Sequence, residues 1–247
     1  MKHVVSTIPE RAVQFPSKQS LGELYTQDEC GATQFIGEAV GTVKVPATSS
    51  LALYFHFDHG SGCAPLAEIA PDALNSVSFL GSDITDDDLV HVGRLTGLKE
   101  LDISCTDISD EGLQHLKSLK VLQKLNLSST QVTNAGAKVL ANFPELKELS
   151  LDDTEVGDEA LIFVSQLKKL ETLSLSFTGI SDKGLARVKQ IRGLQRLRLN
   201  CTQVSDNGVV YLCRLENLKE LWLRSTLITY PGMIELTKWL SDCEIIR

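Results

Sequence analysis

A leucine recurs every 24 residues through most of this chain. The seven leucines are Leu74, Leu98, Leu122, Leu146, Leu170, Leu194 and Leu218. When each block is counted from this leucine, positions 4 and 6 are also apolar, whereas positions 3, 5 and 7 are mostly polar. Alternation with a period of two predicts a short β-strand that buries one of its faces.

The second half of each block changes to a spacing of three. Position 12 is Ser or Thr in six of the seven blocks, and position 13 is Asp in five of them. A hydroxyl residue followed by an acid is typical of a helix N-terminus, where the hydroxyl caps free amides and the acid complements the helix dipole. Apolar residues at positions 16, 19 and 22 then predict a short helix with one buried side.

Two further columns indicate contacts between neighbouring blocks. Position 9 is Ser82 in the first block and Thr in the other six. We expect these hydroxyls to bridge adjacent turns through backbone hydrogen bonds. Position 15 is Gly in five blocks, just inside the predicted helix. Because Gly destabilises a helix, its recurrence suggests that the neighbouring coil approaches closely there.

Blocks of strand, turn and helix predict an α/β solenoid. One block cannot bury its leucines alone, so stacked blocks share a core between a parallel sheet and a row of helices. We assign residues 74–241 to seven repeats and residues 50–73 to a degenerate first repeat. Residues 1–49 form an N-terminal extension whose β-rich cap covers the first edge of the core, and residues 242–247 form a terminal partial strand.

The repeat motif, LxxLxLxxTxIxDxGLxxLxxL over residues 74–241, resembles the leucine-rich-repeat proteins. It is similar to the 24-residue repeats of bacterial proteins and to the related repeats of F-box proteins. The resemblance implies a horseshoe-shaped solenoid with the parallel sheet on its concave face and the short helices on its convex face. The chain departs from the commonest form by using Thr where Asn usually forms the internal ladder.

Composition limits the classes of partner. The net charge is −8, which disfavours binding to nucleic acid or to an anionic membrane surface, since both require clustered Lys and Arg. No apolar run is long enough for a transmembrane helix, and the N-terminus has no signal-peptide pattern. Cys105 and Cys201 share one repeat position four blocks apart, too far for a disulfide. Free thiols favour a cytoplasmic location.

The concave face is predicted to carry positions 3, 5, 7, 8 and 10 of each block. Its first half is acidic and contains Asp83, Glu100, Asp102, Asp107, Glu148, Asp152, Asp153 and Glu155, against Lys124 alone. Its second half is basic and contains Phe177, Arg196, Arg198, Asn200, Trp222 and Arg224, against Glu220 alone. An exposed Trp beside Arg is typical of binding hot spots, although Trp222 could instead pack against the C-terminal tail.

The predicted protein-binding residues come from both halves of this face. They are Phe177, Arg196, Arg198, Asn200, Trp222 and Arg224 in the basic half, and Asp102, Asp152, Asp153 and Glu155 in the acidic half. The acidic half could steer a basic partner through its field. A row of charges on an exposed sheet can also serve solubility alone.

The sequence gives little support for an enzyme active site or a metal site. His56, His59 and Cys63, with Cys30, are metal-ligand types, but their spacing matches no structural zinc pattern. Serines are distributed by the repeat and are not gathered beside a base and an acid. We therefore predict no metal, no cofactor and no enzyme activity.

Four functions remain open from the sequence. The favoured one is a non-catalytic module that binds a partner protein on the concave face. The alternatives are an inhibitor or effector of a basic enzyme, by analogy with ribonuclease-inhibitor-type repeats, a substrate adaptor in ubiquitin ligation, and a structural subunit of a larger assembly. We expect a monomer, or a weak dimer through the C-terminal edge of the sheet.

Overall fold

The computed structural model describes residues 9–28, 32–56 and 62–247. The strands are β1 (Glu10–Gln14), β2 (Gly22–Gln27), β3 (Thr33–Glu38), β4 (Thr42–Pro46), β5 (Ser50–Phe55), β6 (Ser76–Ser78), β7 (Glu100–Asp102), β8 (Lys124–Asn126), β9 (Glu148–Ser150), β10 (Thr172–Ser174), β11 (Arg196–Arg198), β12 (Glu220–Trp222) and β13 (Glu244–Ile246). The α-helices are α1 (Leu89–Val92), α2 (Asp110–Leu113), α3 (Leu161–Val164), α4 (Asp182–Val188), α5 (Val209–Leu212) and α6 (Tyr230–Trp239). The 3₁₀ helices are η1 (Ala64–Glu68), η2 (Gln114–Ser118), η3 (Gly136–Asn142) and η4 (Asp206–Gly208).

One 11-stranded sheet runs the length of the described chain, in the order β13-β12-β11-β10-β9-β8-β7-β6-β5-β2-β3. Strands β5 to β13 are parallel, and equivalent repeat positions pair directly, as Leu101 does with Leu125. The leucines at positions 1, 4 and 6 are almost fully buried in a single core. This architecture confirms the α/β solenoid predicted from the sequence.

The helical segments are short, and several of them are 3₁₀ rather than α. A 3₁₀ helix has three residues per turn, so a spacing of three keeps its apolar residues on one side. Leu113, Leu116 and Leu119 follow this spacing, and all three are buried. The apolar columns at positions 16, 19 and 22 therefore match the helix type as well as the buried face.

The N-terminal strands extend the sheet and also cover its core. Strands β2 and β3 add to β5 as antiparallel strands. Gly22 in β2 has φ +134°, and a Cβ atom there would lie 2.0 Å from the Tyr54 carbonyl oxygen, so only Gly fits. Strands β1 and β4 form a separate antiparallel ribbon that buries Val13 and Val45 in the core, and Phe15, directly after β1, is buried with them. The sequence predicted a covering cap, but not that two of its strands join the sheet.

The threonine column does not bridge adjacent repeats, contrary to our expectation. The Thr106 hydroxyl donates to the Ile103 carbonyl of its own repeat at 2.7 Å. The same bond to the residue three positions earlier recurs at Ser82, Thr130, Thr154, Thr178, Thr202 and Thr226. This column closes the turn after each strand, and contacts between repeats come from elsewhere.

A carboxylate at position 13 connects five of the repeats to the repeat that follows. Asp182 accepts a hydrogen bond from the Ser205 N–H at 2.8 Å and another from the Ser205 hydroxyl at 2.6 Å. Ser205 in turn caps its own helix by accepting from the Asn207 N–H. Equivalent acids at four other junctions are Asp86, Asp110, Asp158 and Asp206. These acids therefore bind adjacent coils together as well as lying at a helix start.

The recurrent glycine at position 15 makes room for this carboxylate. A Cβ atom at Gly208 would lie 2.5 Å from Asp182 Oδ1, and the glycines at 112, 136, 184 and 232 are equally crowded by the preceding acid. This confirms the close approach expected from the sequence. One junction changes three residues together: Asn134 accepts from the N–H groups of Gly157 and Ala160.

At the first junction the carboxylate and the glycine exchange positions, so the acid is at position 15 and the glycine at position 13 of the preceding segment. Asp88 at position 15 accepts from the Cys63 N–H at 2.8 Å, the Thr85 N–H at 3.0 Å and the Thr85 hydroxyl at 2.9 Å. Gly62 stands where the preceding acid would be, and a Cβ atom there would lie 2.5 Å from Asp88 Oδ1. Burial acts to raise the pKa of Asp88, but these hydrogen bonds outweigh it and hold the pKa below its ordinary value.

Candidate protein-binding face

The face of the sheet opposite the helices presents mostly polar side chains. Because positions 4 and 6 point into the core, positions 3 and 5 point the other way. Position 5 forms one row across the strands: Tyr54, Ser78, Asp102, Asn126, Ser150, Ser174, Arg198 and Trp222. Small residues in the middle of this row leave a groove between larger residues at its two ends.

Arg198 and Trp222 form a stacked pair at one end of the row. The Arg198 guanidinium carbon lies 4.6 Å from the centre of the Trp222 ring, within cation–π distance. Arg198 is exposed and Trp222 is half-buried. Trp222 also pairs in register with Ile246 of β13, so the C-terminal strand lies beside it. Trp222 therefore stacks on Arg198 and also lies beside the C-terminal strand, and its use as a hot spot stays a prediction.

The neighbouring polar residues are held by the backbone and by hydroxyls. Arg196 Nε donates to the Thr172 hydroxyl at 3.0 Å. Asn200 Oδ1 accepts from the backbone N–H of Arg224 at 2.9 Å, so this side chain connects two adjacent strand ends. Among the described residues, Arg196, Arg198 and Arg224 form no salt bridge. Their guanidinium groups are available to a carboxylate from outside the chain.

Phe177 is an exposed aromatic residue in a left-handed backbone conformation. Its φ is +58°, and its side chain is 61% exposed. Position 8 has positive φ in every repeat, and its other occupants are Gly81, Cys105, Ser129, Asp153, Cys201 and Ser225. A bulky residue in this conformation is destabilising by about 1 kcal/mol. Because the positive φ recurs in all seven repeats, it belongs to the turn after each strand, and only the exposed ring is particular to Phe177.

The acidic half of the face is largely neutralised or hydrogen-bonded within the chain. Lys124 lies 3.2 Å from Glu100 and 3.6 Å from Glu148. Burial acts to lower the pKa of Lys124, but the two glutamates outweigh it and raise the pKa. Asp102 accepts from the Ser104 N–H and hydroxyl, at 3.0 and 2.6 Å. Lys124 offsets part of the charge of Glu100 and Glu148, whereas the N–H and hydroxyl donors add no positive charge beside Asp102.

The remaining predicted acids differ in position. Asp152 accepts from the Ser174 hydroxyl and the Ser176 N–H. Asp153 is exposed and accepts from the Ser129 hydroxyl at 3.0 Å. Glu155 lies outside β9, in an isolated bridge after the turn. The structure therefore brings Arg196, Arg198, Asn200, Trp222 and Arg224 together, whereas the acidic residues are spread along the face and its rim.

Sequence reasoning missed an aromatic group at the other end of the face. The Tyr25 ring packs edge-to-face against Phe35 and Tyr54, at centroid distances of 5.4 and 5.0 Å. The Tyr25 hydroxyl donates to Glu23 Oε2 at 2.8 Å. Alternation in 22–27 and 33–38 could have placed Tyr25 and Phe35 on one face of their strands. Their contact with Tyr54 depends on antiparallel pairing, which the sequence does not encode locally.

The described residues contain free thiols but no cluster of metal-ligand side chains. No group of three His, Cys, Asp or Glu within them is placed to hold a metal ion, while His59 and Cys30 of the rejected metal set lie outside them. The cysteines at 63, 105, 201, 213 and 243 are free thiols. No helix found in ranges 9–28, 32–56 and 62–247 has the length and apolar character to cross a membrane.

Comparison with known proteins supports the repeat and the fold. A family model described as leucine-rich repeat matches residues 95–117, 118–141, 166–188 and 193–213. No curated protein is significantly similar in sequence to this chain. Similar solved structures include an internalin from Listeria monocytogenes, with 22% identity and a TM-score of 0.59 over 77% of this chain. The chain spans 57% of that internalin.

Two further structures share the fold. Internalin C2 from Listeria monocytogenes has 22% identity and a TM-score of 0.56, with 75% of this chain and 83% of that chain covered. The ectodomain of the Arabidopsis receptor kinase HAESA, in complex with a peptide hormone ligand, has 18% identity and a TM-score of 0.54, with 75% of this chain and 30% of that chain covered. The chain therefore contains leucine-rich repeats in the four matched segments and has the fold of leucine-rich-repeat proteins.

Proposed function

We propose that this chain is a non-catalytic module that binds a partner protein on the face of the sheet opposite the helices. The Arg198–Trp222 pair carries the proposal. It combines an aromatic surface with an Arg that lacks an ionic partner among the described residues, and Trp and Arg are the residues most enriched in binding hot spots. Asn200, Arg224 and Phe177 extend this surface along the adjacent strand ends.

The comparisons support an interaction role in general terms. Leucine-rich-repeat proteins generally mediate protein–protein interactions and are typically non-catalytic. The HAESA ectodomain is described in complex with a peptide hormone. A repeat scaffold displays a surface, and its function depends on the residues grafted onto that surface. The bacterial or F-box type of repeat and a cytoplasmic location are further parts of the proposal, and the free thiols among the described residues support the location.

Affinity capture from cells of the source organism, with identification by mass spectrometry, tests the proposal. The test variant is Arg198→Ala with Trp222→Ala. The chain offers a matched control: Lys238 Nζ lies 5.9 Å from the ring centre of Trp239, a 60% exposed residue of α6. The control variant is therefore Lys238→Ala with Trp239→Ala. Both variants must first show wild-type circular dichroism.

We expect a partner that binds wild type and the control variant but not the test variant. Capture that is equal in all three proteins would refute the Arg198–Trp222 site. Partners lost only when Asp153 and Glu155 are changed to neutral residues, with steep salt dependence, would favour the inhibitor of a basic enzyme instead. The adaptor, the structural subunit and the weak dimer through β13 stay predictions that the identity of the partner and the mass in solution would decide.

A further inference from the structure

The two ends of the binding face differ in charge, and each end is aromatic. Tyr54 in β5 and Arg198 in β11 occupy the same row at position 5, six strands apart. At ~4.8 Å per strand, they are separated by about 29 Å along the sheet. An extended peptide advances ~3.3 Å per residue, so about nine residues reach from one end to the other.

The end of the face at β5 carries Tyr25, Phe35 and Tyr54, which we call the aromatic trio. Phe35 is 53% exposed and Tyr54 is 49% exposed, so ring surface is open to solvent. Glu23 stands directly opposite Tyr54 across the strand pair and accepts the Tyr25 hydroxyl. Aromatic rings with a carboxylate beside them attract a cation, because the ring faces and the carboxylate both have negative electrostatic potential.

The charges around the trio favour the same occupant. Glu100 and Asp102 lie on β7, two strands from Tyr54. The lysine on this part of the face, Lys124, is held between Glu100 and Glu148 and leaves the trio open. A Lys or Arg side chain of a partner would therefore meet rings and carboxylates at this end. A partner carboxylate would be repelled here and attracted to the arginines at the other end.

The floor between the two ends suits an extended chain. Ser78, Ser150 and Ser174 occupy the position-5 row, and their small side chains leave space above the sheet. The hydroxyls of Ser128 and Ser150 lie 2.7 Å apart and form part of a polar surface that can bond to peptide groups. Bulky apolar residues, which would favour a helix laid in the groove, are lacking along this part of the described row.

We propose that the face binds an extended segment of its partner with a Lys or Arg on the aromatic trio and an Asp or Glu about nine residues away on Arg198. This inference rests on the proposed function, because it assumes that the same face is the binding surface. It adds the partner's chemistry and assigns Tyr25, Phe35, Tyr54 and Glu23 to the site.

A displayed library of random peptides, about 14 residues long to exceed this span, provides the probe. The library is selected against wild type, Tyr54→Leu and Arg198→Gln. We expect peptides enriched on wild type to pair a basic with an acidic residue at the stated separation. Tyr54→Leu should lose the basic preference and keep the acidic one, and Arg198→Gln should do the reverse. Both side chains are exposed, and circular dichroism checks that both variants fold.

The strongest peptide from wild type is then synthesised with its basic residue replaced by neutral citrulline or norleucine. We expect roughly fivefold weaker binding to wild type, the size of an exposed cation–π contact. The same replacement should have no effect on Tyr54→Leu and a full effect on Arg198→Gln.

Three results would overturn the inference. If selected peptides need Arg198 but no basic residue, the trio assignment fails while the proposed function stands. If replacing the basic residue weakens binding to Tyr54→Leu as much as it weakens binding to wild type, the cation does not lie on the trio. If no peptide is selected by wild type, an extended segment is not what the face recognises, and a whole-protein partner captured through Arg198 and Trp222 would still support the proposed function.

Discussion

Replacing Gly208 with Ala tests how adjacent repeats are connected. Gly208 has φ −77°, an ordinary helical conformation, so Ala is not strained there. Helix propensity alone would make Ala stabilising by ~1 kcal/mol. The structure predicts the opposite sign, because the new Cβ would lie 2.5 Å from Asp182 Oδ1 and 2.8 Å from Leu185 Cδ1.

The carboxylate cannot easily move away from this contact. Both Asp182 oxygens are held by Ser205, one by its N–H at 2.8 Å and the other by its hydroxyl at 2.6 Å. Overpacking of this kind destabilises by ~1–3 kcal/mol. For a chain of this length, each kcal/mol lowers the melting temperature by roughly 2–4 °C. We therefore expect Gly208→Ala to melt several degrees below wild type.

The junction between Asn134 and Ala160 shows which substitutions should restore the stability lost in Gly208→Ala. There an amide replaces the carboxylate, Gly157 replaces the hydroxyl residue, and Ala is accommodated at position 15. The triple variant Asp182→Asn, Ser205→Gly and Gly208→Ala copies that set. We expect it to recover most of the stability lost by Gly208→Ala, because without the Ser205 hydroxyl only one side-chain oxygen is held, as at Asn134.

Thermal and urea unfolding followed by circular dichroism measure these effects. The three single variants are compared with the triple variant. If Gly208→Ala is as stable as wild type, the close approach to Asp182 does not restrict position 15. If the losses of the three single variants simply add in the triple variant, the three positions are independent and the reasoning is wrong.

Three further predictions concern single residues. Phe177→Gly should raise the free energy of unfolding by about 1 kcal/mol, because it relieves the positive φ, while weakening partner binding; lower stability would contradict the strain argument. The pKa of Asp88 is lowered in the folded state, so its contribution to the free energy of unfolding is complete above pH ~4 and is lost as the pH falls through the folded pKa. Asp88→Asn should therefore unfold at a lower urea concentration than wild type at pH 7. This difference should shrink at pH 3. Burial, with the nearby Asp88, raises the pKa of the Cys63 thiol. A thiol reagent should therefore label the exposed Cys105 quickly and Cys63 only on unfolding. Rapid labelling of Cys63 in the native protein would contradict its burial.

Much of the fold follows from local pattern. The period of 24 residues, the alternation at positions 4 and 6 and the spacing of three after position 12 each report which side of the backbone is buried. The cap at Ser109 and its equivalents was also predictable, since a hydroxyl bonds to an amide two residues away. The recurrent glycine indicated a close approach, although not the group that approaches.

The candidate binding face was predictable only as a set of positions. Column assignment placed Arg198 and Trp222 on one face, and their contact follows from one repeat stacking on the next. Their use as a binding site stays a prediction. The sequence placed Lys124 among the acids of the other half, but not its position between Glu100 and Glu148, nor the bond from Ser104 to Asp102.

The amino-acid sequence alone was enough to predict the repeat, the order of strand and helix within it and the residues on each face, because these follow from local periodicity. Tertiary structure decided which side chains meet across repeats. Asp182 reaches Ser205 only because the coils stack in register, and Tyr25 reaches Tyr54 only because β2 joins β5 as an antiparallel strand. Those contacts join residues far apart in the chain, and stacking and strand pairing alone bring them together.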